Sequence, residues 1–204
     1  MPLRPSPFHY LAYSYMKKLD NYIKKYNRFL TCDNICGFYY DWFHLSNDYK
    51  GNSRDLEVFS ELIIFRIVVH LKLCYDRVDN HFDNSELNIR LHQNNLVLHA
   101  NNQQTRPDIV IFHNDNVFSV IEIKTHPPGG ANLQNLLNNH QILRAENNSY
   151  TLLLIIFNLD GNNQAMIDLE HFTAENPWFK LIILNHPNFK ETLIIDHLRP
   201  FLPE

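Results

Sequence analysis

The sequence predicts an α/β fold in which helices flank a mixed central β-sheet. Three observations lead to this prediction. Apolar residues recur at helical spacing in residues 9–30 and 54–74, β-branched residues cluster in short segments between residues 87 and 125, and residues 150–157 are almost continuously apolar. Such a run is typical of a central strand that is covered on both faces. The order of helix, strands, helix and strand is that of a layered α/β sandwich.

Three helices are predicted. Residues 9–30 form an amphipathic helix with a basic side, and residues 54–74 form a largely buried helix with Ser53 as its N-cap. Residues 31–52 are aromatic and turn-rich, and a polar loop at their end precedes the second helix. The third helix spans residues 132–144. Its apolar side carries Leu133, Leu136, Leu137, His140 and Leu143.

The strands follow from alternating apolar residues and from the turn-forming residues between them. Residues 127–130, Pro-Pro-Gly-Gly, end the hairpin region and precede the third helix. The predicted strands are two hairpins, residues 87–92 with 96–99 and residues 108–112 with 117–125, and then single strands at residues 150–157, 179–184 and 193–195.

Length and charge limit the classes of protein to which the chain can belong. A chain of 204 residues with 45% hydrophobic residues can bury one sizeable core. Residues 1–52 are predicted to be a helical and aromatic segment that packs on a domain of residues 53–204.

The net charge of -4 argues against holding nucleic acid through bulk electrostatics, so any such contact needs a local basic patch. Lys17, Lys24 and Lys25 on the first helix are the candidates for that patch.

The cysteines indicate a reducing compartment. Cys32, Cys36 and Cys74 lack the even, dense pattern of a disulfide scaffold, which favours reduced thiols in a cytoplasmic protein. Cys32 and Cys36 could form half of a zinc site, but no second Cys/His pair follows at metal-ligand spacing, so buried thiols are the preferred interpretation. The sequence has no leader-like start and no stretch of ~20 apolar residues, which predicts a soluble protein with no membrane partner.

The segment RPDIVIFHNDNVFSVIEIKTH carries the chemically informative residues. Glu122 and Lys124 alternate on one predicted strand, so both side chains point to the same face. The hairpin brings Asp108 beside that pair if its two strands are direct neighbours. Two carboxylates and a lysine are therefore expected to converge at one end of the sheet.

This set of groups matches what phosphodiester hydrolysis needs. Asp108 and Glu122 could hold Mg²⁺, which polarises a phosphoryl oxygen, and the backbone carbonyl of Ile123 could supply a third ligand. Lys124 would orient or help to deprotonate the attacking water and offset negative charge at phosphorus. Hard oxygen ligands favour Mg²⁺ or Mn²⁺ over zinc.

Pro107-Asp108 and Glu122-Ile123-Lys124 match the signature of the PD-(D/E)xK nuclease superfamily residue for residue. The order of predicted elements over residues 54–158 also resembles the core of that superfamily. The resemblance implies a restriction-endonuclease-like αβββαβ core with a mixed central sheet, and it implies a metal-dependent nuclease activity. It covers about half of the chain, and the N-terminal segment and the last forty or so residues lie outside it.

The resemblance further implies a glutamate from the first core helix. Glu57 and Glu61 are the candidates, and a helical projection places both opposite Arg66 and His70. If Arg66 and His70 face solvent, the glutamates face inward, and Glu61 is preferred. The polar residues that the resemblance implies near the scissile phosphate, on the next helix, are Gln134 and Gln141.

Two alternatives compete with this interpretation. Glu122 and Lys124 could be the exposed polar face of an edge strand, with Asp108 an ordinary turn residue. Against this, Phe118 and Val120 share the predicted face with Glu122 and are apolar, and charges that continue an apolar face are costly unless paired or metal-bound. The second alternative is a catalytically inactive subunit of the same fold that binds DNA or supports assembly.

The leading hypothesis from the sequence is a cytoplasmic, Mg²⁺-dependent endonuclease that cleaves DNA. Mn²⁺ is expected to substitute for Mg²⁺, and RNA stays open as a substrate. A homodimer is expected, since two-fold assemblies commonly cut both strands of a duplex. The resemblance implies a role in restriction, phage defence or mobile-element processing.

Overall fold

A computed structural model describes residues 7–26, 29–48, 53–75, 87–91, 98–100, 103–105, 107–114, 116–146, 150–158 and 163–203. Within these residues the helices and strands follow one another in the order α1 (Pro7–Tyr26), α2 (Cys32–Asp48), α3 (Ser53–Tyr75), β1 (Leu87–Leu91), β2 (Leu98–Ala100), β3 (Gln103–Thr105), β4 (Ile109–His113), β5 (Asn116–Lys124), α4 (Gly130–Glu146), β6 (Thr151–Ile156), α5 (Asn163–Glu175), β7 (Phe179–Ile183) and α6 (Ile194–Leu198). A 3₁₀ turn, Arg199–Phe201, follows α6.

A mixed sheet of five strands forms the centre of the molecule, in the order β1-β4-β5-β6-β7. β1, β4 and β5 are antiparallel neighbours, whereas β5, β6 and β7 run parallel. Parallel neighbours need a crossover connection, and α4 and α5 lie in the two crossovers. β2 and β3 pair with each other in a separate ribbon. The α/β class and the mixed sheet predicted from the sequence are confirmed.

Helices cover both faces of this sheet with apolar side chains. One face packs against α1, α2, α3 and α6 in a cluster that includes Leu19, Trp42 and Ile121. The other face packs against α4 and α5 in a cluster that includes Val120 and Leu137. Successive residues of β5 and β6 thus enter opposite clusters, as the two-residue period of a strand requires. Burial on both sides explains the continuous apolar run of β6.

The N-terminal helices belong to this core. The ring of Trp42 in α2 stacks on Phe59 of α3 with centroids 4.1 Å apart, and the hydroxyl of Tyr15 in α1 donates a 2.8 Å hydrogen bond to the carbonyl of Phe38. The start of α2 is also tied to the C-terminal part of the chain, because the N–H of Cys32 donates a 3.0 Å hydrogen bond to the carbonyl of Thr192.

Several predicted elements agree with the structure. The long helices, the hairpin β4–β5, the helix α4 and the strands β6 and β7 lie where the sequence places them, within a few residues. The turn between β4 and β5 contains Asn114 with a φ of 50°, a conformation that asparagine tolerates well. The start of α3 at Ser53 fits the predicted boundary, although the side chain of Ser53 lies outside the described residues.

Other predicted elements are wrong. The hairpin predicted from residues 87–92 and 96–99 does not form, because β1 pairs with β4 and β2 pairs with β3. The strand predicted at residues 193–195 is helical from Ile194 onward, since a short apolar run fits a buried helix as well as a strand. Residues 32–48 form the helix α2 where turns were predicted, and α5 was not predicted from the sequence.

A β-bulge changes the expected facing of one side chain in β5. Ile111 pairs with Ser119 and Phe112 with Val117, so β5 contains one residue more than β4 at this point. Phe118 consequently packs with the cluster on the α1–α3 side, not on the face of Val120 as its sequence position predicts. The bulge lies before Val120, so the regular alternation from Val120 to Lys124 is preserved.

Cys32 and Cys36 are free and buried, as the sequence predicts. Burial raises the pKa of Cys32 to about 11 and that of Cys36 to about 12. The side chain of Cys74 lies outside the described residues. Within the described part of the chain, no helix combines the length and the apolar character that crossing a membrane requires.

Candidate active site

The hairpin β4–β5 brings the predicted acids together at one end of the sheet. Asp108 precedes β4, one position beyond the cross-strand pair Ile109 and Ile121, so its backbone lies level with that of Glu122. The Oδ2 atom of Asp108 accepts a 2.7 Å hydrogen bond from the N–H of Ile123. This bond anchors the carboxylate of Asp108 to β5 and extends the hairpin by one more contact.

Lys124 bridges the two carboxylates. Its Nζ atom lies 3.1 Å from Oε2 of Glu122 and 3.4 Å from Oδ2 of Asp108. We call Asp108, Glu122 and Lys124 the carboxylate–lysine cluster. The side chain of Lys124 is 32% exposed, whereas those of Asp108 and Glu122 are 11% and 4% exposed. A molecule that approaches from solvent therefore meets the lysine first.

The position of β5 in the sheet excludes the edge-strand interpretation. β5 has β4 on one side and β6 on the other. Asp108 and Glu122 are buried, although carboxylates are rarely buried unless they are paired or bind a metal. The charges on β5 are thus not a solvated polar face.

α3 contributes a third acid to the surroundings of the cluster. Glu61 is 8% exposed, and its negative charge is close enough to raise the pKa of Asp108. Arg66 of the same helix is exposed and forms a 3.0 Å ion pair with Asp20 of α1. Glu61 therefore faces inward as predicted, whereas of the two residues expected to face solvent Arg66 is exposed and His70 is half-buried. The side chain of Glu57 lies outside the described residues, so its role stays a prediction.

The electrostatics of the cluster show an excess of negative charge. Burial and the charges of Glu122 and Glu61 raise the pKa of Asp108 well above its usual range, against the opposing effect of Lys124. Burial alone would raise the pKa of Glu122 too, but His140 and Lys124 outweigh burial and lower it. Burial alone would lower the pKa of Lys124, but the two carboxylates outweigh burial and raise it. One ammonium thus faces more than one carboxylate.

α4 adds a residue, His140, that was predicted to lie on the apolar side of this helix and was not among the predicted site residues. His140 is fully buried, and its Nε2 atom lies 3.5 Å from Oε1 of Glu122. Its Nδ1 atom forms a short hydrogen bond with the hydroxyl of Tyr150. The signal in the sequence was a single polar residue on the leucine-rich side of α4, which packs on the face of the sheet that carries Glu122.

Other predicted residues are not brought to the cluster. Gln134 and Gln141 are exposed on α4, and Gln134 donates a 2.9 Å hydrogen bond to Asn138 of the same helix. Among the described side chains of α4, it is His140 that contacts Glu122. Lys17, Lys24 and Lys25 were predicted to contact nucleic acid outside the cluster. Their side chains are exposed on α1.

The donor atoms fit a magnesium ion that is bound partly by water and substrate. In the described part of the chain, no three His, Cys, Asp or Glu side chains are grouped as a metal site of their own. Mg²⁺ commonly binds through one or two carboxylates and completes its shell with waters and phosphate oxygens, so it does not need such a group. Asp108 and Glu122 supply hard oxygen donors, and the surplus negative charge at the cluster favours a cation.

No protein-family model matches the chain, and neither a curated protein nor a solved structure matches it.

Proposed function

We propose that the chain is a Mg²⁺-dependent endonuclease of the PD-(D/E)xK superfamily that hydrolyses phosphodiester bonds in DNA. The observation that carries the proposal is the buried convergence of Asp108 and Glu122 on one lysine, within 3.4 Å, at the end of a central hairpin. Desolvating two carboxylates side by side is costly, and a packed apolar side chain at either position would avoid that cost. Cation binding and catalysis give a reason for the cost.

The order of elements supports the family assignment. α3, β1, β4, β5, α4 and β6 follow the αβββαβ order, with the ribbon β2–β3 as an insertion between the first two core strands. The three strands β1, β4 and β5 are antiparallel, and β6 joins them parallel to β5. Asp108 immediately precedes the second core strand, and Glu122 and Lys124 lie in the third, an order that supports the superfamily assignment.

In this proposal Asp108 and Glu122 hold the Mg²⁺ ion, Glu61 adds negative charge or a ligand through water, and the carbonyl of Ile123 is a further oxygen donor. The bound ion would polarise the phosphoryl group and offset the charge that develops on the leaving oxygen. Glu61 lies on α3, on the opposite side of the sheet from α4, and its charge raises the pKa of Asp108. Mn²⁺ satisfies the same donors and should replace Mg²⁺.

Lys124 acts on the substrate side of the cluster. Its Nζ atom reaches both carboxylates, and its side chain is the most exposed of the three. An ammonium at this position can donate a hydrogen bond to the attacking water or to a phosphoryl oxygen, where negative charge increases during the reaction. Lys124 therefore orients the nucleophile and stabilises charge at phosphorus.

The exposed surface of α1 is the proposed nucleic-acid contact outside the site. Lys17, Lys24 and Lys25 are exposed there, and so is Tyr13, at 73%. Basic side chains next to exposed aromatic rings can bind phosphates and stack on bases. A local patch of this kind would overcome the net charge of -4. A homodimer would present two such sites to a duplex.

The test is cleavage of plasmid DNA, branched DNA and a matched RNA in the presence of Mg²⁺. Asp108→Ala and Lys124→Ala should each reduce the rate by about 10³-fold or more, because both act on the transition state. Asp168→Ala and Lys180→Ala are matched controls, since these side chains are exposed on α5 and β7. Both controls should cleave like the wild type.

Equal cleavage by the wild type, Asp108→Ala and Lys124→Ala would show that the activity comes from elsewhere and would end the proposal. A wild-type protein that binds DNA in a salt-dependent manner but never cleaves it would favour the inactive DNA-binding subunit instead. Cleavage of RNA with DNA left intact would retain the chemistry and change the substrate.

A further inference from the structure

The two oxygens of Glu122 have different partners. Oε2 accepts a 3.1 Å hydrogen bond from Nζ of Lys124, on the partly exposed side of the cluster. Oε1 lies 3.5 Å from Nε2 of His140, on the side covered by α4. Both Glu122 and His140 are almost completely removed from solvent. The carboxylate is therefore held between an outer cation and an inner imidazole.

The hydrogen bond between Tyr150 and His140 bears on which nitrogen of His140 carries the ring proton. The hydroxyl of a buried tyrosine needs an acceptor for its proton, and the partner that the structure gives it is Nδ1 of His140. When Nδ1 accepts this hydrogen bond, the neutral ring carries its proton on Nε2, the atom next to Glu122. Tyr150 is itself fixed immediately before β6, where its carbonyl accepts a 2.9 Å hydrogen bond from Arg144.

We infer that His140, oriented by Tyr150, is a positioning residue that fixes the rotation of the Glu122 carboxylate and presents Oε2 to Lys124 and the cation site. This inference rests on the proposed function, because it assigns the role of Glu122 to cation binding. His140 touches neither the substrate nor the reacting atoms. It acts through Glu122, as residues that hydrogen-bond a ligating carboxylate commonly do.

The need for such a residue follows from the geometry of the cluster. Lys124 shares its ammonium between Asp108 and Glu122, and its contact with Glu122 is at Oε2. A carboxylate that rotates freely binds a cation more weakly, because binding must then also remove the rotational freedom. Nε2 of His140, 3.5 Å from Oε1, is placed on the inner side to limit that freedom before the ion binds.

The first test reads the proton position directly and needs no metal. Two-bond ¹H–¹⁵N correlation spectra of ¹⁵N-labelled protein distinguish the two tautomers of a neutral histidine, and the signal of His140 among the 12 histidines is the one lost in His140→Gln. We expect the Nε2–H tautomer in the wild type and a changed signal in Tyr150→Phe. The Nδ1–H tautomer in the wild type would overturn the inference.

The second test measures the dissociation constant for Mn²⁺ by electron paramagnetic resonance, at a temperature where circular dichroism shows all variants folded. His140→Leu removes the donor, and its affinity should fall about 10- to 100-fold. His140→Gln keeps an N–H donor near the position of Nε2 and should recover most of that loss. Leu137→Ala is the matched control, since Leu137 is buried on the same side of α4 with no polar group. Its affinity should equal that of the wild type.

The outcomes separate this inference from the proposed function. Wild-type affinity in His140→Leu, or an equal loss in Leu137→Ala, would overturn the positioning role and leave the nuclease proposal in place. A wild-type protein that does not bind Mn²⁺ would overturn the proposed function, and the role of His140 would go with it.

Discussion

β5 and β6 are neighbouring parallel strands at the centre of one sheet, and they differ in what they bury. In their shared register, Glu122 lies opposite Leu154 and Lys124 lies opposite Ile156. Leu154 and Ile156 are fully buried in the apolar cluster under α4 and α5. Glu122 is buried to a similar degree but is charged. β6 thus has the composition that stability alone favours, and β5 departs from it where the candidate site lies.

The difference indicates why the charged residues are present. Natural sequences break local rules of stability mainly at functional sites, where another gain compensates. If β5 were selected for packing alone, residues like those of β6 would replace Glu122 and Lys124. The comparison can therefore be tested by changing one strand at a time and measuring activity and stability separately.

The largest expected effect is on activity, from the charged strand. Glu122→Gln keeps the size of the side chain but removes the negative charge, so the rate of Mg²⁺-dependent cleavage should fall by about 10³-fold or more. Glu170→Gln is the control, because Glu170 is exposed on α5. Cleavage assays at saturating Mg²⁺ measure the loss. Near-normal cleavage by Glu122→Gln would mean that the two strands do not differ in function.

The apolar strand should respond in the opposite way. Leu154→Ala leaves a cavity beneath α4 and α5, and it should lower the free energy of unfolding by about 2–5 kcal/mol. The folded fraction should still cleave DNA at a rate within a few-fold of the wild type, because no charged group is changed. Urea denaturation and cleavage at low temperature measure the two quantities. A variant that stays stable but loses its activity would contradict the contrast between β5 and β6.

A smaller effect is expected on the stability of the fold, from the buried carboxylate of Asp108 beside β5. The raised pKa of Asp108 means that the folded protein binds this proton more tightly than the unfolded chain does. The charged carboxylate therefore destabilises the fold, and this cost is absent below the ordinary value of 3.8 and grows as the pH rises through the raised value. Asp108→Asn removes the charge, while its amide oxygen can still accept the hydrogen bond from Ile123.

We therefore expect the Tm of metal-free Asp108→Asn to exceed that of the wild type, by a margin that widens from pH 4 to pH 8. The lowered pKa of Glu122 acts with the opposite sign, but Glu122 is present in both proteins and contributes to both Tm values. Mg²⁺ should raise the Tm of the wild type more than that of the variant, because a ligand stabilises the state that binds it. Differential scanning calorimetry measures the Tm of both proteins at each pH, with and without Mg²⁺. A lower Tm for the variant at pH 8 would show that the charge of Asp108 does not destabilise the fold.

The parts of the fold that the sequence predicted are those with local signals. The hairpin β4–β5 combines β-branched strands with an asparagine-containing turn, and its alternation places Glu122 and Lys124 on one face. The pairing of β1 with β4 was not predictable in this way, because it joins strands that other segments separate along the chain. α2 was missed because aromatic residues and Gly37 obscure its helical periodicity.

The site shows the same division between local and distant signals. Asp108, Glu122 and Lys124 come from one hairpin, so strand geometry was sufficient to group them. His140 comes from α4, and which side chain of a helix meets a given strand residue depends on packing that no local pattern specifies. Its position among leucines indicated burial correctly but gave no sign of the acid beneath it.

The attachment of α2 to the far end of the chain has a consequence for how the protein is made. Cys32 and Thr192 are 160 residues apart in sequence, yet their backbones are hydrogen-bonded, and Thr31 pairs with Leu193. Contacts that close such long loops form late, since loop closure costs entropy. A growing chain therefore cannot complete the contacts at the start of α2 until the segment around residue 190 has been synthesised. Aggregation competes with folding most strongly during that interval.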